Sequence, residues 1–330
     1  MSKQVHPQDA APPASPRGRI GLAISRPSVA AQIDAIVAAE AAGIEQVWMT
    51  MGALGTDALT VFAAAAMRTE RVVMGTSIVP AFTRHPLGMA TQALALAQLA
   101  PGRLRLGIGT SHGPQMRAYG VAQALQHPLS WLQEYLEVLR PAMQGGSVAF
   151  QGQHFQVEAK MPRSIDTPLL ISALRPNAWE LAGSHSDGGI SWLCPPAYLL
   201  EQALPALQRG ADAAGQPRPA LVAHVPVALS SDLAEVRQRA RTQFAGYSGL
   251  PFYANMFAQA GYPIGADRAY SDALLDHLVV SGDEEAVAQR LRGLLDSGLD
   301  ELLVMHVPGA DAGAAEAEEA HLRQLLVTLT

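Results

Sequence analysis

Three short stretches place chemically useful side chains where the chain changes direction. His112 stands in Thr110-Ser111-His112-Gly113, at the end of the apolar run Arg103 to Thr110 (RLRLGIGT). An imidazole on a glycine-flanked loop can give or take a proton near neutral pH, or it can simply cap a turn. Gly75, Thr76 and Ser77 are small or polar residues inside the otherwise apolar Arg71 to Val79 (RVVMGTSIV). A glycine there permits a bulge or the close approach of backbone to a planar ligand, and the two hydroxyls could hydrogen-bond that ligand; a bulge filled by packed threonine and serine would leave the same pattern. In the third stretch, Ala173, Leu174, Arg175, Pro176, Asn177 and Ala178 run from an apolar segment into a helix start. Free backbone N–H groups, the helix dipole and the Arg175 charge suit an anion there, although alone this is an ordinary helix N-terminus with Pro and Asn caps.

Other polar groups read as structural. His85-Pro86 puts a proline at the start of a helix, so the histidine belongs to the helix start and its packing. His185 and Asp187 lie in a turn beside Gly188-Gly189. There is no Ser-His-Asp order, H-E-x-x-H pair or P-loop, and the ten histidines are scattered, so neither a hydrolase nor a metal site has positive support. The single cysteine, Cys194, can form no internal disulfide and no Cys-based zinc or iron–sulfur site, which fits a reducing, cytoplasmic setting.

These stretches need a scaffold that brings strand ends together. From Arg19 onward, short β-branched or apolar runs alternate with Ala/Leu-rich segments, the sign of βα units on a parallel sheet. Strands are predicted at 18–25, 46–50, 71–79, 103–110, 168–173, 188–193, 221–229 and 301–307. Helices are predicted at 29–42, 57–67, 86–99, 129–143, 177–184, 196–214, 232–244, 283–296 and 314–329. Thr50 closes the second strand, in Trp48-Met49-Thr50. Two segments interrupt the alternation: a hairpin within 146–165 turning at Gln151-Gly152-Gln153, and the Gly-, Pro- and aromatic-rich 246–276, long enough for a lid or a partner contact. Eight helix-connected strands predict an α/β fold, a (β/α)8 TIM barrel with insertions, formed by a single domain over 19–330 after a mobile tail over 1–18. An open dinucleotide-binding sheet is disfavoured, since Gly107-Ile108-Gly109 misses the third glycine by one place and lies far from the first strand.

Composition narrows the partners. A net charge of −6 with no basic run removes the footprint that nucleic-acid binding requires. No stretch of about 18 apolar residues occurs, and residues 1–18 lack an apolar secretory core, so neither a membrane span nor a secretory signal is expected. Charged residues make up 16% of the chain, below the typical ~25%, which suggests a surface partly covered by a second subunit.

The segment Arg71 to Gly113, with its strand containing Gly-Thr, then Arg84-His85-Pro86, an Ala-rich helix and Pro101-Gly102-Arg103-Leu104-Arg105-Leu106-Gly107-Ile108-Gly109, resembles the luciferase-like monooxygenase superfamily. The likeness continues through Ala173 to Ala178 and Leu181 to Gly188, and more weakly from Arg19 to the last helix. It implies a TIM barrel, usually dimeric, that binds coenzyme F420 (a deazaflavin) or FMN at its C-terminal mouth. The ring would rest on the third strand at Gly75, Thr76 and Ser77, near Thr50, Thr110 and Ser111, often beside a non-prolyl cis peptide. The phosphate would be held by Ala173, Leu174, Arg175, Pro176, Asn177 and Ala178. Ser111-His112-Gly113 and the late Tyr/Pro/Met-rich insertion look more like the deazaflavin-dependent branch. The implied activity is hydride transfer between F420 and a small organic substrate. The alternatives are a reduced-FMN monooxygenase served by a flavin reductase, and a non-catalytic flavin-binding barrel. One departure stands out: the acidic/His pair that several deazaflavin enzymes carry after strand two is replaced by Thr50-Met51, which leaves His112 as the acid/base candidate.

Overall fold

Strand eight returns to strand one, and this closure sets everything else. The computed structural model describes residues 19–52, 54–121 and 126–329; the predicted tail lies outside the described residues. The barrel strands are β1 (Arg19–Ala23), β2 (Gln46–Met49), β3 (Val73–Thr76), β4 (Leu104–Gly109), β5 (Leu169–Ser172), β6 (Gly188–Ile190), β7 (Ala220–Ala228) and β8 (Glu301–His306). Each pairs in parallel with the next, and β8 pairs with β1 from Arg19↔Glu301 to Leu22↔Val304. Helices connect them on the outside, giving the (β/α)8 barrel expected from the alternation.

Local chemistry explains the helix limits. Ser28 accepts the Ala31 N–H and Gly43, at φ +99°, ends the Val29–Ala42 helix; a side-chain cap of this kind contributes about 1 kcal/mol. Asp57 caps Ala58–Ala66 by accepting the Thr60 N–H at 2.8 Å and also pairs with Arg84 at 2.5 Å. His85 caps Pro86–Leu99 through Nδ1, which accepts the Leu87 N–H at 3.2 Å, so its role is the structural one.

The floor of the barrel is built from residues far apart in sequence. Arg105 reaches the two Glu301 carboxylate oxygens at 2.6 and 2.9 Å and donates to Gln46 at 2.9 Å, with its guanidinium 4.8 Å above the Trp48 ring. Trp48, Leu170, Ile190, Val222 and Leu303 form the apolar layer above. The indole fits because Gly21 and Gly75 flank it: a Cβ at either would come within 2.6 and 2.3 Å of the ring.

Gly75 is not a bulge but a regular ladder position, paired with Trp48 and Arg105, and its open side is filled by the indole. The third strand does break, two residues later, at a cis Ser77–Ile78 peptide, and resumes as Val79–Pro80 against β4. The loop after β4 starts a short helix, Gly113–Ala118, capped by His112 without a side-chain bond. The hairpin pairs Ser147–Gln151 with Gln156–Lys160, so Gln151 is still in the strand, the turn spans 152–155 rather than 151–153, and it is closed by Gly152 N–H donating to Phe155 O. The late insertion contains its own helix, Pro251–Gln259, and a two-residue strand, Val280–Ser281, lies beside the upper end of β7. Among the described residues no helix is long and apolar enough to cross a membrane.

Candidate active site

Inward-facing positions change character from floor to mouth, and the polar ones gather at the strand ends. After β2, the Thr50 hydroxyl donates to Ser77 O at 2.9 Å and lies 3.2 Å from Ser77 Oγ. This clamps the cis turn while leaving Thr50 exposed at the rim. Ser77 N–H donates to Met49 O at 2.8 Å, which ties the same turn to β2. Thr76 points the other way: fully buried, its hydroxyl donates to Gly107 O at 2.7 Å and accepts the Gly107 N–H at 2.8 Å. Of the third-strand trio, therefore, Ser77 reaches the mouth, whereas Thr76 stitches β3 to β4 and Gly75 accommodates Trp48.

After β4, Thr110, Ser111 and His112 follow directly on the last strand residue. Ser111 holds φ +58°, a conformation costly for a residue with a Cβ, which aims the loop across the mouth. His112 is half-buried and its ring lies edge-on to Tyr247 at 5.7 Å and Tyr253 at 5.6 Å. Loss of water around the ring lowers its pKa, so the neutral imidazole dominates at pH 7. Among the described residues its ring nitrogens have no hydrogen-bond partner, which leaves them available to a ligand.

After β5 the chain passes Ser172, Ala173 and Leu174 into the ten-residue helix Pro176–His185, with Arg175 at its N-cap. Leu174 O accepts the Tyr198 hydroxyl at 3.1 Å, which fixes the turn. Arg175 Nε is buried without a partner, beside the helix start that carries Asn177 and Ala178. The six residues 173–178 thus form one corner of the mouth, with a buried donor unmatched by any acceptor among the described residues.

The wall between these corners was not found from sequence. Trp192 follows β6, its ring 4.8 Å from His224 of β7 and 5.8 Å from Tyr247. Tyr253 packs on Tyr247 at 5.1 Å, and burial raises the pKa of both phenols, so both stay protonated. A signal for His224 existed: it is the one polar side chain in the nine-residue strand ALVAHVPVA. Cys194 is also close, but burial pushes its thiol up to about 12, and it is inert as a nucleophile. Away from the mouth, a cleft of about 370 Å³ between the Pro128–Arg140 and Pro176–His185 helices has its ionic groups already matched, Arg140 to Asp187 at 3.0 Å and His185 to Glu137 at 3.5 Å. Among the described residues no three metal-ligating side chains converge.

Comparison with known proteins gives the chain's family and its fold. The model of the family described as luciferase-like monooxygenase matches residues 6–301. The F420-dependent glucose-6-phosphate dehydrogenase of Nakamurella multipartita is 29% identical over 297 residues, 84% of this chain and 86% of that one. The protein of the same name from Kineococcus radiotolerans is 27% identical over 300 residues, 84% and 87% of the two chains. Among solved structures, an F420-dependent secondary alcohol dehydrogenase in complex with an F420–acetone adduct superposes with TM-score 0.77 at 17% identity, covering 94% of this chain and 98% of that one. The FMN-bound oxygenating constituent of 3,6-diketocamphane monooxygenase from Pseudomonas putida does so with TM-score 0.70 at 16% identity, covering 95% and 97%. At these identities the superpositions establish the shared barrel.

Proposed function

The chain belongs to the luciferase-like monooxygenase family, and from that premise we propose that it is an oxidoreductase transferring a hydride between coenzyme F420 and a small neutral organic substrate at the barrel mouth. The observation that carries the reading is Arg175: a buried guanidinium N–H without an acceptor, at the N-terminus of a ten-residue helix, is a cradle for the cofactor's phosphate. F420 is preferred to FMN because the curated relatives named for it match 84% of this chain.

Bound there, the deazaflavin supplies the hydride chemistry. The protein's own residues do the rest. Arg175, with the backbone of Asn177 and Ala178, holds the phosphate. Thr50, Ser77, Thr110 and Ser111 offer hydroxyls and backbone to the ring, while Gly75 and Thr76 support that face from below. His112, neutral and without a hydrogen-bond partner among the described residues, orients the substrate or protonates it. The Trp192, Tyr247 and Tyr253 wall excludes water and favours an apolar substrate. The same reading takes the protein as a cytoplasmic homodimer, supported by its low share of charged residues.

A second reading, a reduced-FMN monooxygenase partnered by a flavin reductase, is favoured by the family's own description as monooxygenases. Titrating the cofactor-free protein with F420 and, separately, with FMN under fluorescence detection decides between them. Quenching by F420 at lower concentration is expected. Preference for FMN together with substrate-dependent oxygen uptake would replace the first reading by the second.

A further inference from the structure

His224 has an acceptor atom that the described residues leave unused. Its backbone N–H donates to Ser191 Oγ at 3.1 Å, and its ring Nδ1 lies 2.7 Å from Ser191 O. A carbonyl oxygen only accepts, so Nδ1 carries the ring proton and Nε2 presents a bare lone pair. The residue is 4% exposed, yet Nε2 has no partner among the described residues. A buried acceptor without a donor is costly and, in a native fold, calls for an explanation.

The strand geometry indicates where this atom points. Val222 belongs to the inner apolar layer, and strand side chains alternate, so His224 faces the barrel interior two residues nearer the mouth. With Nδ1 turned to the β6 backbone, Nε2 lies on the side of the ring away from that strand. The Trp192 ring stands perpendicular to the imidazole at 4.8 Å and also touches Tyr247, which touches His112. The two histidines therefore border one aromatic wall from β7 and β4. His224 differs from His112 in that its tautomer is fixed by the backbone, as an oriented base requires.

We propose that Nε2 of His224 receives the hydroxyl of a neutral alcohol substrate, first as hydrogen-bond acceptor and then as the base that takes its proton. The proposal rests on the F420-dependent reading for its hydride acceptor. In the oxidation, the alcohol O–H bond breaks with the proton passing to Nε2. The C–H bond breaks with its electron pair leaving as hydride to the deazaflavin, and the C=O bond forms. The imidazolium then releases the proton to solvent. Burial, which pushes the His224 imidazole down to about 4, keeps it in the accepting form at neutral pH.

The test uses the full chain with ¹⁵N-labelled histidine. At pH 7 the Nε2 resonance of His224, assigned by its loss in His224→Asn, is expected to be that of an unprotonated nitrogen. In the F420-loaded protein it should shift on adding 2-propanol, cyclohexanol or 1-octanol. His224→Asn keeps an N–H donor in the place of Nδ1 and deletes only the acceptor. It should bind F420 within about twofold of wild type by quenching, abolish the alcohol response, and lower kcat on a responding alcohol about 10²- to 10⁴-fold. A protonated Nε2 at pH 7, no shift with any of the three alcohols, or an unchanged kcat in His224→Asn would overturn the proposal while leaving F420 binding intact. Absence of F420 quenching in wild type would instead remove the underlying reading, and the spectra of the unloaded protein would still report the Nε2 state.

Discussion

The floor and the mouth of this barrel are made from the same eight strands and obey opposite rules. At the floor the charged groups that enter the interior are matched: Arg105 meets Glu301 through two bonds and Gln46 through a third, and Gly21 and Gly75 give up their side chains to Trp48. At the mouth the matching stops. Among the described residues, His112 has no hydrogen-bond partner for its ring, His224 Nε2 and Arg175 Nε are unpartnered, and Ser111 and Leu193 hold left-handed backbone at φ +58° and +51°. The difference teaches where stability ends and function begins: the ions of the floor satisfy one another, whereas the mouth leaves charged and titratable groups for a ligand to satisfy.

The sharpest way to break this contrast is at the floor. Arg105→Ala would leave Glu301, whose side chain is 0% exposed, as an uncompensated buried charge, and a loss of about 3–5 kcal/mol is expected from urea denaturation. A loss under about 1 kcal/mol would mean that water reaches the floor. Next in size is an effect of acid on the mouth. The His224 imidazole titrates at about 4 when folded and at 6.5 when unfolded, so between those values the unfolded chain binds more protons and stability falls as pH falls. At pH 5 the cost is on the order of 2 kcal/mol, and the part of the pH slope due to this residue should vanish in His224→Asn. Of similar size, Gly75→Ala should cost about 1–3 kcal/mol by pressing a methyl against the Trp48 ring, read as a lower melting temperature. A neutral result there would show that the indole can move, and that the floor is looser than its packing implies.

The fold was more legible in the sequence than the site, for a physical reason. Helix caps such as Ser28, Asp57 and Gly43, and the alternation of apolar strands with Ala-rich helices, are local signals, and local signals can be read along the chain. The Arg175 corner was legible for the same reason, since strand end, arginine, proline and helix start are adjacent in sequence. Arg105 and Glu301 are 196 residues apart, and nothing near either one announces the other. Gly75 shows how a local reading misleads: the glycine does admit a planar group at close range, but that group is the protein's own Trp48. The His224 contact to Ser191 exists only because parallel pairing sets β7 beside β6, across a whole helical connection, and the Trp192–Tyr247 contact requires the late insertion to fold back over the mouth.

The contrast is sharpened most finely by a change expected to do almost nothing to the fold. His112 caps a short helix without a side-chain bond and touches only the edges of Tyr247 and Tyr253, so His112→Ala removes no matched polar group. Its stability cost should stay within about 1 kcal/mol, well below that of the floor. If the mouth is built for ligands, the same change should lower kcat by about 10²- to 10⁴-fold while leaving the F420 quenching curve nearly unchanged, because the phosphate corner at Arg175 belongs to a different strand end. Equal losses in cofactor affinity and turnover would move His112 from proton transfer to cofactor support. A large loss of stability would erase the distinction between the two ends, since a mouth residue would then be holding up the barrel.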